Sequence, residues 1–283
     1  MNPAGDPTFE PNGRIPGRYT RRVTTRQTQA RPGRFITLEG PEGAGKTRQA
    51  RAIRSLLEGA GLPVTLTREP GGTPFGERIR DILLQHGESS GTIQPLADAL
   101  LFNAARAQLV ANVIRPALAR GAIVVCTRFA DSTLAYQGYG AGLAIDDLRA
   151  IERMATGGLS PDLTILLDLP VETGLARKTA DELTRFEAGF DAAFHRRVRS
   201  GFLDLAGREP ARFAVIDASP PAEDVFEAIR AALAHRIPEL AGPLAGSVSG
   251  AGPRATEGQH RDGPVVGRPV ADEPEAPSLR TRR

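Results

Sequence analysis

From residue 34 onward, short runs of β-branched and aliphatic residues alternate with longer stretches whose apolar positions recur every three or four residues. Phe35-Ile36-Thr37-Leu38 predicts a buried strand, and Lys46 to Gly59 a helix with Ala52, Ile53, Leu56 and Leu57 on one side. Val64-Thr65-Leu66-Thr67 predicts a second strand, followed by a helix from Gly76 to Gln85 and a long helical stretch from Pro95 to Ala119. Ile123 to Cys126, Leu163 to Leu167 and Phe213 to Ile216 predict three further strands, with helices over 145–156, 187–206 and 221–235. Strands that are apolar on both faces and separated by helices imply an α/β fold, a parallel sheet covered on both sides. Ligands of such sheets bind at the carboxyl ends of the strands, so the residues following each strand are the candidates for chemistry.

The two ends of the chain break this pattern. Residues 1–33 hold six Arg against two acids among Pro, Gly and Thr, and residues 238–283 are mostly Ala, Gly, Pro, Arg and Glu. Neither has a periodic apolar face to offset the entropy of ordering, so both are expected to be disordered extensions of a single domain over 34–237. The ends also carry twelve of the 36 basic and eight of the 33 acidic residues, which leaves −1 of the overall +3 for the core. The basic pI is thus a property of the ends, and no nucleic-acid partner is expected. Asp6, Glu10 and Pro3, Pro7, Pro11 and Pro16 argue against an amphipathic targeting helix. A lone cysteine, Cys126, and no apolar run of membrane-spanning length lead to the expectation of a cytoplasmic protein without a membrane partner.

Directly after the first strand stands Gly40-Pro41-Glu42-Gly43-Ala44-Gly45-Lys46-Thr47, which satisfies G-x-x-x-x-G-K-[ST] and opens a helix. Glycines permit a tight loop whose N–H groups converge on phosphate oxygens, and the helix N-terminus adds positive potential. Lys46 then reaches the β and γ phosphates, and the Thr47 hydroxyl is the candidate ligand for magnesium (Mg²⁺). Of the 36 basic residues only Lys46 and Lys178 are lysine, so a lysine stands where a compact, flexible ammonium is wanted. Neither lysine follows Asn, which removes the N-K-x-D guanine motif of GTPases. A small-molecule kinase needs a second pocket for its acceptor.

That pocket is expected from Thr67-Arg68-Glu69-Pro70-Gly71-Gly72-Thr73 after strand two, Phe102 to Arg106 in the long helix, and Thr127-Arg128-Phe129-Ala130-Asp131-Ser132-Thr133-Leu134-Ala135-Tyr136-Gln137-Gly138 after strand three. With the phosphate loop, Pro161-Asp162-Leu163-Thr164-Ile165-Leu166-Leu167-Asp168, Arg185-Phe186-Glu187 and Val215-Ile216-Asp217-Ala218-Ser219, these segments resemble bacterial thymidylate kinases from about Arg34 to His235. The resemblance implies the P-loop kinase fold, five parallel strands with helices on both faces and a mobile lid. It implies an ATP- and Mg²⁺-dependent dTMP kinase and a homodimer. Residue by residue, it implies that Glu42 faces the sugar 3′-hydroxyl, Arg68 and Arg128 hold the dTMP phosphate, and Phe102 stacks on thymine. Arg106 would bond a base carbonyl, with Ser132, Thr133, Tyr136 and Gln137 lining the same pocket. Lys46, Arg128 and Glu42 would carry catalysis, and Arg177, Lys178 and Arg185 would belong to the lid over 177–189. Arg forks match phosphate bidentately and an aromatic face suits a base, so each role is chemically sensible on its own.

The match has departures. Thr127 stands where the family has Asp before Arg, and Thr cannot supply that charge in the outer shell of Mg²⁺. Asp131, four residues on, is the candidate to supply it instead. Thr179, Ala180, Asp181 and Thr184 thin the lid's usual charges, and Ala141 replaces an Arg. The alternative to a working kinase is a nucleotide-binding paralogue with little turnover, acting as a sensor or partner module. Asp168, at the end of strand four, is expected to be either structural or part of the site.

Overall fold

The computed structural model describes residues 32–84, 93–177 and 189–245. In chain order the elements are β1 (Arg34–Glu39), α1 (Lys46–Gly59), β2 (Val64–Arg68), α2 (Pro74–Leu84), α3 (Pro95–Leu109), α4 (Arg115–Ala119), β3 (Ile123–Thr127), α5 (Ala130–Thr133), α6 (Ile145–Thr156), β4 (Leu163–Asp168), α7 (Val171–Ala176), α8 (Ala192–Arg208), β5 (Phe213–Asp217), α9 (Ala222–Arg236) and α10 (Pro238–Ala245). The strands form one five-stranded sheet in the order β2-β3-β1-β4-β5. All its pairings are parallel.

β1 at the centre explains why its sequence is apolar on both faces: Phe35 packs with Val124, Cys126 and Phe129 on one side, and Ile36 and Leu38 with Ile53 and Leu57 on the other. Thr37 and Thr164, opposite each other across β1 and β4, satisfy one another through their hydroxyls at 2.9 Å. The α1 helix begins and ends at the residues its periodicity predicts, because Gly45 in the left-handed region cannot extend it backward and the chain turns at Ala60-Gly61.

The long helical stretch is present but not uniform. Between α3 and α4 the chain makes a wide π turn over Val110–Ile114. Pro116 lies just beyond it and has no N–H to return to the preceding turn, which a regular α-helix would require. A second π segment, Leu134–Gly140, continues α5. The helix expected from residue 187 is described from Ala192, where the Asp191 side chain caps it by accepting from Phe194 N at 2.8 Å.

The expected domain edge at residue 237 needs correction. Pro238–Ala245 is helical, and Leu240 and Leu244, one turn apart, are buried in the cluster that holds Ile229 and Leu233. That pair is an i, i+4 apolar signal short enough to be lost among the Ala, Gly and Pro around it. Among the described residues no helix is long and apolar enough to cross a membrane.

Candidate active site

The loop between β1 and α1 is built by two contacts only glycine permits. Gly40 and Gly43 have φ of 137° and 72°, and a Cβ on Gly43 would stand 2.1 Å from the carbonyl oxygen of Gly174 in α7. The loop therefore rests directly on the α7 backbone. Lys46 bends back over it, its Nζ donating to the carbonyls of Gly40 at 3.0 Å and Pro41 at 2.7 Å. The Thr47 side chain stands beside Lys46 in the wall of a cavity at the carboxyl end of the sheet.

Glu42 and Arg128 pair directly in the wall of this cavity. Arg128 follows β3 with φ 65°, a left-handed conformation that costs a non-glycine residue about 1 kcal/mol or more. Its surroundings fix it: Arg128 N donates to Leu38 O at 2.9 Å, and the next N–H, of Phe129, donates to Glu39 at 2.7 Å. The other oxygen of Glu39 accepts from Ser132 at 2.6 Å. Glu39 is fully buried, and burial together with nearby Asp131 raises its pKa to about 7. This carboxyl, on the last residue of β1, anchors the turn that aims Arg128, a role the sequence reading did not assign because its partners follow β3, some 90 residues on.

The Arg128 guanidinium donates to Glu42, to the Tyr136 hydroxyl at 3.1 Å and to Ser132 Oγ at 3.1 Å. Burial works against its charge, but Glu42, Tyr136 and Glu39 outweigh that cost and raise its pKa above the ordinary value. Burial also pushes the Tyr136 phenol well above its usual range, so it stays protonated and donates to Glu42 at 2.8 Å. Arg68 enters from the end of β2, steadied by Glu77 of α2 at 3.0 Å. Glu77 also accepts from Gly72 N at 2.7 Å, tying the loop after β2 to the helix. Phe102, Thr133 and Gln137 complete the wall.

Glu69 and Pro70 of the loop after β2 line the cavity too, as do Arg80 and Leu84 of α2, which the sequence reading did not include. Arg80 stands in α2 with its guanidinium held on Pro70 O at 3.0 Å. Burial, then the positive charge of Arg68, lowers its pKa, with Arg128 adding a smaller push in the same direction. Three guanidiniums on one wall repel one another, a repulsion offset at Arg68 by Glu77 and at Arg128 by Glu42, and an anion bound there would offset it further. An α2 helix with Arg at several positions offered no pattern to single out this one.

The remaining predicted residues are placed elsewhere. Arg106 is 1% exposed and does not line the cavity; its guanidinium donates to Glu69, Asn103, Phe129 O and Thr133 Oγ1, at 2.9, 2.9, 3.1 and 2.9 Å. It sits behind the wall as a support. Asp131 does not supply the charge missing at Thr127, because both its oxygens are taken by the Arg212 fork at 2.7 and 2.9 Å. Thr127 lines the cavity, while Asp168 is paired bidentately with Arg199 of α8 at 2.7 and 2.8 Å, a link between β4 and α8. Gly43, Ala44 and Gly45 form the edge of a second cavity on the other side of the loop, with Arg48, Gln49, Arg177 and the segment after β5. Arg177 donates there to the carbonyls of Ala218 at 3.1 Å and Ser219 at 3.3 Å. Lys178 and Arg185, with most of the expected lid, lie outside the described residues.

The phosphate loop therefore separates two cavities, one edged by loop backbone and one walled by arginines, an aromatic ring and polar side chains. Comparisons with known proteins agree with this geometry. The family model described as thymidylate kinase matches residues 38–229. The thymidylate kinase of Deinococcus radiodurans is 53% identical over 205 residues, 72% of this chain and 98% of the relative. That of Thermomicrobium roseum is 54% identical over 197 residues, 69% of this chain and 91% of the relative. The crystal structure of thymidylate kinase from Ehrlichia chaffeensis superposes with a TM-score of 0.57 at 33% identity, covering 71% of this chain and 98% of that one. The family model over most of the folded core and relatives more than half identical show that this chain belongs to the thymidylate kinase family.

Proposed function

We propose that the chain transfers the γ-phosphoryl group of ATP to the phosphate of dTMP, forming dTDP and ADP. The observation that carries this reading is the shared cavity. Lys46 and Thr47 of the phosphate loop open onto the same space as Arg68, Arg128 and Phe102. A donor phosphate chain held by the loop would meet an acceptor phosphate held by the arginines there. The acceptor oxygen is already anionic, so no strong base is needed; rate comes from in-line positioning and from neutralising charge on the transferred group. Lys46 supplies that charge from the loop side and Arg128 from the acceptor side. Glu42, held by Arg128 and Tyr136, fills the floor beneath a sugar and accepts from its 3′-hydroxyl.

ATP runs along the loop, with its base and ribose toward the second cavity and Arg177. Mg²⁺, when bound, would supply positive charge that neutralises the phosphates, and the Thr47 hydroxyl is the group placed to hold it. Among the described residues no cluster of three His, Cys, Asp or Glu could hold a metal. Mg²⁺ keeps several waters and takes few protein ligands beside substrate phosphates, so one hydroxyl such as that of Thr47 would suffice on the protein side. A homodimer through α2 and α3 accounts for Phe75, Ile82, Leu96 and Leu100, each about half exposed on that helix pair.

A coupled assay with ATP, Mg²⁺ and a panel of nucleoside monophosphates tests the reading. dTMP should be preferred over dCMP and dGMP, and less strongly over dUMP, since one methyl is worth only about 1 to 3 kcal/mol in an apolar pocket. Equal kcat/KM for dTMP and dGMP would refute it.

A further inference from the structure

Two side chains of the acceptor wall have hydrogen-bonding directions dictated from behind. Thr133 Oγ1 accepts from Arg106 at 2.9 Å, so the hydroxyl keeps its own proton to offer. Gln137, four residues on, gives its amide N–H₂ to a carboxylate oxygen of Asp98 at 3.2 Å. Thr133 and Gln137 line the cavity, whereas Asp98, 4% exposed on α3, does not. A side-chain amide can be turned either way, N–H₂ or C=O outward, and its partner decides which. A carboxylate only accepts. Facing Asp98, the amide must put its nitrogen inward and leave its carbonyl oxygen for the cavity.

We propose that Asp98 is the positioning residue that selects the base, by fixing the Gln137 amide so that the wall offers one acceptor beside one donor. That pair complements a pyrimidine whose ring N–H adjoins a carbonyl. It opposes a 4-aminopyrimidine, where the ring nitrogen is an acceptor and the exocyclic group a donor. Dimensions exclude a purine with the same edge; hydrogen-bond direction excludes cytosine. Because a site built to pair polar groups leaves them unpaired against the wrong partner, this discrimination is far larger than a methyl group provides. The inference rests on the dTMP reading above.

Asp98→Asn is nearly isosteric and can face the Gln137 amide either way round. The experiment measures kcat/KM for dTMP, dUMP and dCMP in wild type and Asp98→Asn, with dissociation constants in place of kcat/KM if turnover is too slow. The dTMP-to-dCMP ratio should fall at least about tenfold, the scale of one hydrogen bond to a charged group. The dTMP-to-dUMP ratio should not move, since those bases share the same edge. Parallel loss for all three substrates would assign Asp98 a merely structural role and overturn the proposal, as would an unchanged dTMP-to-dCMP ratio. If wild type neither binds nor phosphorylates dTMP, the functional reading fails; if it does so without preferring dTMP to dCMP, the base-selection proposal alone fails. Should the variant not fold, hydrogen exchange of the Gln137 side-chain N–H₂ in the wild type decides. Slow exchange with and without dTMP agrees with Asp98 holding that group; protection only when dTMP is bound would contradict it.

Discussion

The two sides of the phosphate loop hold their charge differently. On the acceptor side Arg128 is locked by Glu42, Tyr136 and Ser132, its backbone turn is pinned by buried Glu39, and Arg68 is steadied by Glu77. On the other side Arg177 rests on backbone carbonyls, and Arg48 reaches the exposed Glu223 at 2.7 Å. The first arrangement is organised before any ligand arrives. The second leaves its exposed cations on backbone carbonyls and one surface carboxylate, partners that a bound nucleotide would have to displace. In the proposed function selectivity would therefore be concentrated on the acceptor side, and the donor side would recognise phosphate mainly through loop backbone, which every nucleoside triphosphate can satisfy.

Lys46 stands at the end of the loop that separates the two sides and opens onto the acceptor cavity, and its loss should be the largest effect. Lys46→Ala is expected to lower kcat by at least about a hundredfold, since it removes a preorganised cation from the transferred group. Wild-type-like turnover in a purified variant would remove the loop from the chemistry. Arg128→Ala and Arg177→Ala then set the two sides against each other. Arg128→Ala should cost on the order of a hundredfold in kcat/KM for dTMP and also lower Tm, because a buried network loses its central donor. Arg177→Ala should raise KM for ATP only about threefold and leave dTMP affinity and Tm unchanged, as expected of an exposed, weakly paired cation. Equal effects from the two variants would erase the contrast.

Thr127 stands where the sides meet, and the expected Mg²⁺-shell carboxylate is absent from it. With Asp131 committed to Arg212, Thr127→Asp should raise kcat or lower the Mg²⁺ requirement by about tenfold. A Mg²⁺ titration of both proteins reads this directly; no change would mean that the charge is not needed here.

The smallest effect concerns pH. Glu39 has its pKa raised to about 7 by burial and by Asp131, from an ordinary 4.5. A carboxyl raised in the folded state binds its proton more tightly there than in the unfolded chain. Its contribution to stability is then complete below about 4.5 and is lost as pH rises through about 7. Glu39→Gln should flatten that part of the stability profile in denaturant melts, and an unaltered slope between pH 5 and 8, roughly the window this linkage spans, would show that another group carries it.

Much of this molecule was legible from its sequence because its strands are buried on both faces and its loop motif obeys steric rules. The α1 helix and all five strands lie where periodicity and the glycine positions put them. The phosphate loop and most of the acceptor wall follow from residues standing just after strands. What escaped were features decided by tertiary partners. Arg106 reads as a ligand-facing arginine in a helix, yet buried Glu69 and Asn103 draw it inward. Asp131 reads as a carboxylate near the metal, yet Arg212, 81 residues later, takes it. Arg80 and Asp98 carry no local signal, since each matters through a neighbour brought by folding. The α10 helix was missed because two leucines among small residues make a pattern too short to count.

The central claim is that the acceptor side is formed in advance and specific for dTMP. Calorimetric titration of the nucleotide-free protein tests it most directly. dTMP should bind without ATP or Mg²⁺, with an affinity that Arg177→Ala leaves unchanged and Arg128→Ala lowers on the order of a hundredfold, while dGMP gives no measurable heat. Binding of dTMP only after an ATP analogue has been added, or equal binding of dTMP and dGMP, would contradict it.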